Sequence, residues 1–240
     1  MVSERELLVR LDKTIGCFLG VVIGDAMGMP WEMMSHKEIL FATRKCGVAG
    51  FSKPVQLKIM DTRGLEPGDF TDDWRLTRAV AKSIIANQGF NLMDIIKEHL
   101  IEFEESNVGF GGSTRENLIA LRDLARGDWK ANPDFRLLKV EDLKRAGSGN
   151  GIAMKISPLA IFFRDRHDDL LDATIKLANL THRDPQAMLS AYALAIMINR
   201  LYFRSIGLKS KEELKLEIKG LIQDVITETL SVQQSLLEEQ

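Results

Sequence analysis

The sequence predicts an all-α fold, a single compact multi-helical domain, on three observations. Apolar residues recur at helical spacing over long stretches, as in Leu76, Val80, Ile84 and Ile85. Short clusters of Gly, Asn, Asp and Pro separate those stretches. No convincing series of alternating strands is present. In chain order, helices are expected over roughly 4–28, 36–43, 73–87, 91–106, 113–126, 151–164, 168–180, 185–205 and 210–237. The first is apolar and rich in small residues from Gly16 to Gly28. The stretch from Arg44 to Phe70 carries four Gly and two Pro, too punctuated for a helix. Ser113 or Thr114 caps the fifth helix, with Glu116 close behind. Pro158 breaks the sixth early, and Asp184 with Pro185 opens the eighth as N-cap and first helical residue. The last is amphipathic through Leu214, Ile218, Leu221, Ile222, Val225 and Ile226, and is expected to pack on the same domain.

With 240 residues and 45% apolar content, one domain over 1–240 with a sizeable core is expected. A net charge of −2 with interleaved signs argues against nucleic acid as a partner, since phosphate binding leaves a basic stripe. Cys17 and Cys46 are too few for a disulfide framework and lack metal-ligand spacing, which suits a reducing, cytoplasmic location. The mixed charges of Glu4, Arg5, Glu6, Arg10 and Asp12 exclude a signal or transit peptide. No apolar run reaches membrane-spanning length, so no membrane partner is expected.

The phrase Gly68-Asp69-Phe70-Thr71-Asp72-Asp73-Trp74 places a hydroxyl and two adjacent carboxylates where the chain turns into a helix. Hard oxygen donors this close suit a divalent cation, although Thr and Asp are also ordinary capping residues. Asp25 adds a charge inside the apolar first helix, where it needs a partner or a metal. Glu32 lies seven residues on. Continued helix would put both carboxylates on one face, and a bend at Pro30 can still bring Glu32 to the same cleft.

Two glycine-rich loops run into helices: Gly109-Phe110-Gly111-Gly112-Ser113-Thr114-Arg115 and Gly147-Ser148-Gly149-Asn150-Gly151. Such entries let backbone N–H groups approach an anion, and an interhelical turn explains either loop equally well. Neither has Walker or dinucleotide-binding spacing. His182, in Leu180-Thr181-His182-Arg183-Asp184-Pro185, is not explained by capping and is a candidate substrate contact. His36, His99 and His167 read as solvated surface.

Taken in order, Gly20 to Gly28 through Glu32, Phe70-Thr71-Asp72-Asp73, Gly109 to Arg115, Gly149-Asn150-Gly151-Ile152-Ala153-Met154-Lys155, Pro158-Leu159 and Thr181-His182-Arg183-Asp184-Pro185 resemble the ADP-ribosylglycohydrolase family over residues 14 to about 200. The resemblance implies an all-α fold with a pair of magnesium ions at the bottom of a cleft that holds the terminal ribose of an ADP-ribosyl group. It implies Thr71, Asp72 and Asp73 as metal ligands and Glu32 and Asp73 as catalytic candidates. Asp25, Gly111, Gly112, Ser113, Asn150, Gly151, Met154 and His182 are implied as substrate contacts, and magnesium, one ion or two, or manganese, as cofactor. ADP-ribose or an ADP-ribosylated protein is the implied partner.

Three departures accompany the resemblance. The family's Asp-x-Asp-Thr phrase near the C-terminus has no counterpart after His182, so a C-terminally truncated site with fewer ligands is expected. Trp74 stands where threonine is common, and Lys155 where arginine is usual, keeping the charge without the planar fork. The leading expectation is therefore a magnesium-dependent hydrolase of ADP-ribosyl linkages. The alternatives are an impaired module that binds ADP-ribose without cleaving it, and a purely structural helical scaffold.

Overall fold

A computed structural model of the chain describes residues 3–54, 64–124, 147–164, 166–203 and 210–238. Among these residues there is no strand, and the α-helices are α1 (Glu4–Gly28), α2 (His36–Ala42), α3 (Asp72–Asn87), α4 (Leu92–Glu105), α5 (Gly112–Leu124), α6 (Ser157–Phe162), α7 (His167–Asn179), α8 (Pro185–Phe203) and α9 (Lys211–Glu238). A 3-10 turn, Met29–Trp31, follows α1, and a second, Asn150–Lys155, precedes α6. The helix positions expected at 125–126 and 204–205 lie outside the described residues.

Local chemistry accounts for the ends. Ser3 Oγ accepts the Glu6 N–H, Ser35 and Glu38 form a reciprocal capping box on α2, and Asn91 Oδ1 accepts from Met93 and Asp94 at the start of α4. Pro30 ends the α-helical hydrogen bonding of α1 and starts the 3-10 turn. Asp184 Oδ1 accepts the Gln186 N–H at 2.9 Å, with Pro185 first in α8.

Helix α3 is the hub, packed against α1, α4, α6 and the second 3-10 turn, while α8 gathers α6, α7, α9 and that same turn. Leu76, Val80, Ile95, Ile96, Leu100, Leu118, Ile152, Ile156, Leu159 and Leu177 are buried between them. Each such side chain contributes roughly 1.5–3 kcal/mol on leaving water. Asn199 Nδ2 donates to the Ala160 carbonyl at 2.7 Å, tying α8 to α6.

Three expectations are corrected. The single helix over 151–164 is a 3-10 turn followed by the short α6, because Pro158 lacks the N–H that a continuous α-helix would use. Helix α5 starts at Gly112, so Ser113 and Thr114 lie within its first turn and do not cap it. His99 is fully buried, because it shares the inward face of α4 with Ile95, Ile96, Leu100 and Phe103. The last helix, α9, packs on the same domain as expected and buries Leu221 and Val225, while Leu214, Ile218, Ile222 and Ile226 remain 41–46% exposed. The helix rests on α8 along one edge, where Tyr192 and Arg200 reach Glu228.

Candidate active site

The second half of α1, the turn to Glu32, the start of α3, the Gly109–Thr114 segment, the Gly149–Met154 segment, His182 and one side of α8 enclose a cavity of about 1190 Å³. Every candidate named from the sequence lines it: Asp25, Glu32, Thr71, Asp72, Asp73, Gly111, Gly112, Ser113, Asn150, Gly151, Met154 and His182. The bend at Pro30 brings Glu32 to the side of the cavity that Asp25 faces.

Asp25 has a specific structural job. Its Oδ2 accepts the backbone N–H groups of Thr71 and Trp74 at 2.8 and 3.0 Å, and its Oδ1 accepts the Thr71 hydroxyl at 2.7 Å. Thr71 occupies the N-cap position of α3 without making a side-chain cap of its own. A carboxylate from α1 therefore caps α3, satisfying donors that a helix start leaves free. Thr71 gives its proton to Asp25 and keeps oxygen lone pairs to offer elsewhere.

The neighbouring acids have no such matching. Burial, then the charge on Asp73, with further contributions from Asp25 and Glu32, raises the Asp72 carboxyl to about 7. Burial and the charges of Asp25 and Glu32 raise Asp73 to about 6. Glu32 is raised by burial and then by Asp25. Carboxylates crowded this way favour any added positive charge, whether a proton or a cation. Among the described residues, no three His, Cys, Asp or Glu side chains stand close enough to hold an ion by themselves. Asp72, Asp73 and Thr71 Oγ1 are oxygen donors of the kind magnesium takes, since it binds through one or two carboxylates and keeps several waters.

Other parts of the wall are built by close backbone approach. Gly109 has φ +88°, and a Cβ there would lie 2.5 Å from Asp72 Oδ1 and 2.6 Å from Thr71 Cβ, so only glycine lets this loop press on the start of α3. A Cβ on Gly151 would lie 2.7 Å from His182 Cε1, so the loop lies directly on the imidazole. The Thr77 hydroxyl sits 2.7 Å from the Asp73 carbonyl and 2.8 Å from the Met154 carbonyl, linking the acidic wall to the 3-10 turn. His182 is pushed down to about 4 by burial and then by the nearby Lys155, so it is neutral near pH 7.

These features were compared with known proteins. The family model described as ADP-ribosylglycohydrolase matches residues 7–239. The chain belongs to the ADP-ribosylglycohydrolase family. It is 26% identical over 193 residues to ADP-ribosyl-[dinitrogen reductase] glycohydrolase of Rhodospirillum rubrum, covering 79% of this chain and 58% of that protein. It is 25% identical over 170 residues to ADP-ribosylhydrolase ARH3 of Xenopus tropicalis, covering 70% of this chain and 44% of that one. A solved structure, "ADP-ribosylglycohydrolase-related protein complex", superposes with a TM-score of 0.52 at 26% identity over 80% of this chain and 57% of that chain. The chain thus spans about half the length of the curated relatives it matches. No helix among the described residues is long and apolar enough to cross a membrane.

The sequence reasoning missed two kinds of lining. Cys17, Gly20, Val21, Leu194 and Ile198 form an apolar arm of the cavity between α1 and α8. Its signal was the glycine spacing of α1, a pattern shared by many packed helices. Lys155 was noted only as a departure, yet it is fully buried beneath His182. A lone lysine within Ile152-Ala153-Met154-Lys155-Ile156 was the available clue.

Proposed function

We propose that this family member hydrolyses the glycosidic bond of an ADP-ribosyl group, with an ADP-ribosylated protein or an ADP-ribose derivative as substrate and magnesium as cofactor. One observation carries the reading: Glu32, Thr71, Asp72 and Asp73 meet in one cavity, where burial and mutual repulsion raise Asp72 and Asp73, beside glycine-rich helix entries suited to a diphosphate. Asp72, Asp73 and Thr71 Oγ1 would hold magnesium, one ion or two, and manganese would suit the same oxygens. Bound there, it supplies the positive charge that orients ribose hydroxyls and makes a water a better nucleophile.

The chain's own groups do the rest. Backbone N–H groups at the Gly111–Gly112 entry of α5 receive the diphosphate, aided by the helix dipole. Asp73 or Glu32 takes a proton from the attacking water as its oxygen bonds to the anomeric carbon. The C–N or C–O bond breaks as its electron pair leaves on the acceptor atom, which takes up a proton from solvent, through a transition state of oxocarbenium character. With Asp72→Asn and Asp73→Asn together, release of ADP-ribose from an ADP-ribosylated protein is expected to fall by about a thousandfold or more, a loss of roughly 4 kcal/mol. Unchanged turnover would rule this site out.

A second reading is a module that binds ADP-ribose without cleaving it. It is favoured by the commitment of both Asp25 oxygens to capping α3, which leaves a smaller donor set. Calorimetry with ADP-ribose separates the two: binding that ignores magnesium, with no turnover, supports the module.

A further inference from the structure

A run of hydrogen bonds lies beneath the cavity floor. Lys155 Nζ, fully buried, is 3.2 Å from His99 Nε2 and 3.1 Å from Thr181 Oγ1, and Thr181 Oγ1 is 2.9 Å from His182 Nδ1. Lys155, Thr181 and His99 are each 0% exposed and His182 is 5% exposed, so water does not compete for these bonds. A charged amine in such a place is costly unless its protons are used.

Counting protons gives the run a direction. A lysine ammonium has three donors and no acceptor, so Lys155 donates to both His99 Nε2 and Thr181 Oγ1. Thr181 accepts there and must place its own single proton. Its other side-chain partner is His182 Nδ1, which therefore accepts. An imidazole that accepts at Nδ1 carries its proton on Nε2. The Gly151 backbone fixes the ring face, since a Cβ there would come within 2.8 Å of Nε2, and the Nε2 edge is turned toward the Gly149–Gly151 wall of the cavity.

We propose that Lys155 is a positioning residue that acts through the Thr181 hydroxyl to hold His182 as the Nε2–H tautomer, so that the cavity offers a neutral hydrogen-bond donor to an acceptor oxygen of its ligand. The ligand half rests on the ADP-ribosyl reading above, and the tautomer half does not. The arrangement also explains a lysine in the core. The ammonium is held by two acceptors and lies within the field of Asp72. A methionine would fill the space but leave the Thr181 proton free to turn away from His182.

The test uses the full chain, labelled with 15N, and long-range 1H–15N correlation of the His182 ring. At about pH 6, below the Lys155 value of about 7 and above the His182 value of about 4, the ammonium and the neutral imidazole both predominate. The expected spectrum has a protonated Nε2 and a bare Nδ1. Thr181→Val should shift the ring toward the Nδ1–H form and weaken ADP-ribose binding about tenfold, whereas Thr181→Ser should keep both properties. Lys155→Arg, which retains donors, should keep the wild-type tautomer better than Lys155→Met. A wild-type ring protonated at Nδ1, or a Thr181→Val ring indistinguishable from wild type, overturns the proposal. Wild type that shows the expected tautomer but does not bind ADP-ribose supports the relay and overturns the ADP-ribosyl reading instead.

Discussion

Acids flank helix α3 on two sides, and the fold treats them in opposite ways. On the α4 side, Glu102 is fully buried and surrounded by cations: Arg78 grips both of its oxygens, Lys82 Nζ lies 3.1 Å from Oε1, and Arg75 Nη1 lies 3.5 Å from Oε2. Burial alone would raise this carboxyl, but the bonds from Arg78 and Lys82 outweigh it and hold it below its ordinary value. On the cavity side, burial and neighbouring acids raise Asp72, Asp73 and Glu32, and the Lys155 ammonium in the field of Asp72 does not offset this. Acids supplied with partners by the chain stabilise the fold. Acids crowded together in a partly dry cavity favour an added proton or cation.

The sharpest way to break this contrast is to neutralise one acid from each group. Glu102→Gln leaves Arg78 and Arg75 facing a half-dry site with the more exposed Glu105 as their remaining counter-charge. The expected cost is about 2–4 kcal/mol, reduced from the fully buried case because Arg78 and Lys82 keep some solvent. The same ion pairs carry Arg75 and Arg78 over the Phe70 ring, 5.4 and 6.0 Å from its centre, so a weaker hold on the segment leading to Thr71 should follow. Urea denaturation reads the first effect. An unchanged midpoint would mean that the network is ornamental.

Asp72→Asn should do the reverse. Asp72 has a folded-state value of about 7 against an ordinary 3.8, so its stabilising contribution is fully present below the ordinary value and is lost as pH rises through about 7. Wild type is therefore expected to lose stability relative to Asp72→Asn between about pH 4 and pH 8, by roughly 1–3 kcal/mol after allowing for partial solvation. Magnesium should recover that loss at about pH 8 and do little at about pH 4, where the acids are protonated. Parallel denaturation curves for the two proteins at both pH values would remove the argument that these acids lack a partner.

The reason Asp25 and its neighbours converge was only partly legible in the sequence. The helix start at Asp184 could be read because capping is local, acting over two or three residues. The apolar spacing of α3 and α8 could be read because burial follows helical period. Asp25 was recognised as a charge in need of a partner, but the partner lies 46 residues away and consists of backbone N–H groups, which no residue pattern displays. His99 and Lys155 were misjudged or passed over for a related reason: a polar side chain enters a core only when another element supplies its hydrogen bonds. The exposed face of α9 repeats the point, since amphipathic spacing shows that a helix can bury one face without showing what covers it.

Asp25→Asn probes that long-range cap with a smaller expected effect, about 1–2 kcal/mol. The amide oxygen can take the place of Oδ2 and accept both N–H groups, but the N–H₂ then meets the Thr71 hydroxyl, which must turn its own proton away, and the cap loses its negative charge. Amide hydrogen exchange should quicken first at Trp74 and Arg75, while α4 is unaffected. Exchange that rises evenly through α3 and α4 would mean that Asp25 supports the packing generally and is not a cap.

Lys82→Met should have the least effect, and it sharpens the comparison by asking how much of the matching on Glu102 is needed. Lys82 is 47% exposed in its side chain, against 30% for Arg78 and 17% for Arg75, and it meets Glu102 through one point contact while Arg78 uses its planar fork. Water can replace an exposed ammonium, so the expected cost is about 0.5 kcal/mol or less, shrinking further in salt. Arg78→Met, which leaves Glu102 without its two-pronged partner, should cost several times more. If the two substitutions cost the same, the matching on this side of α3 depends on total charge near Glu102 and not on the geometry of the guanidinium, and the contrast with the cavity acids reduces to a count of nearby cations.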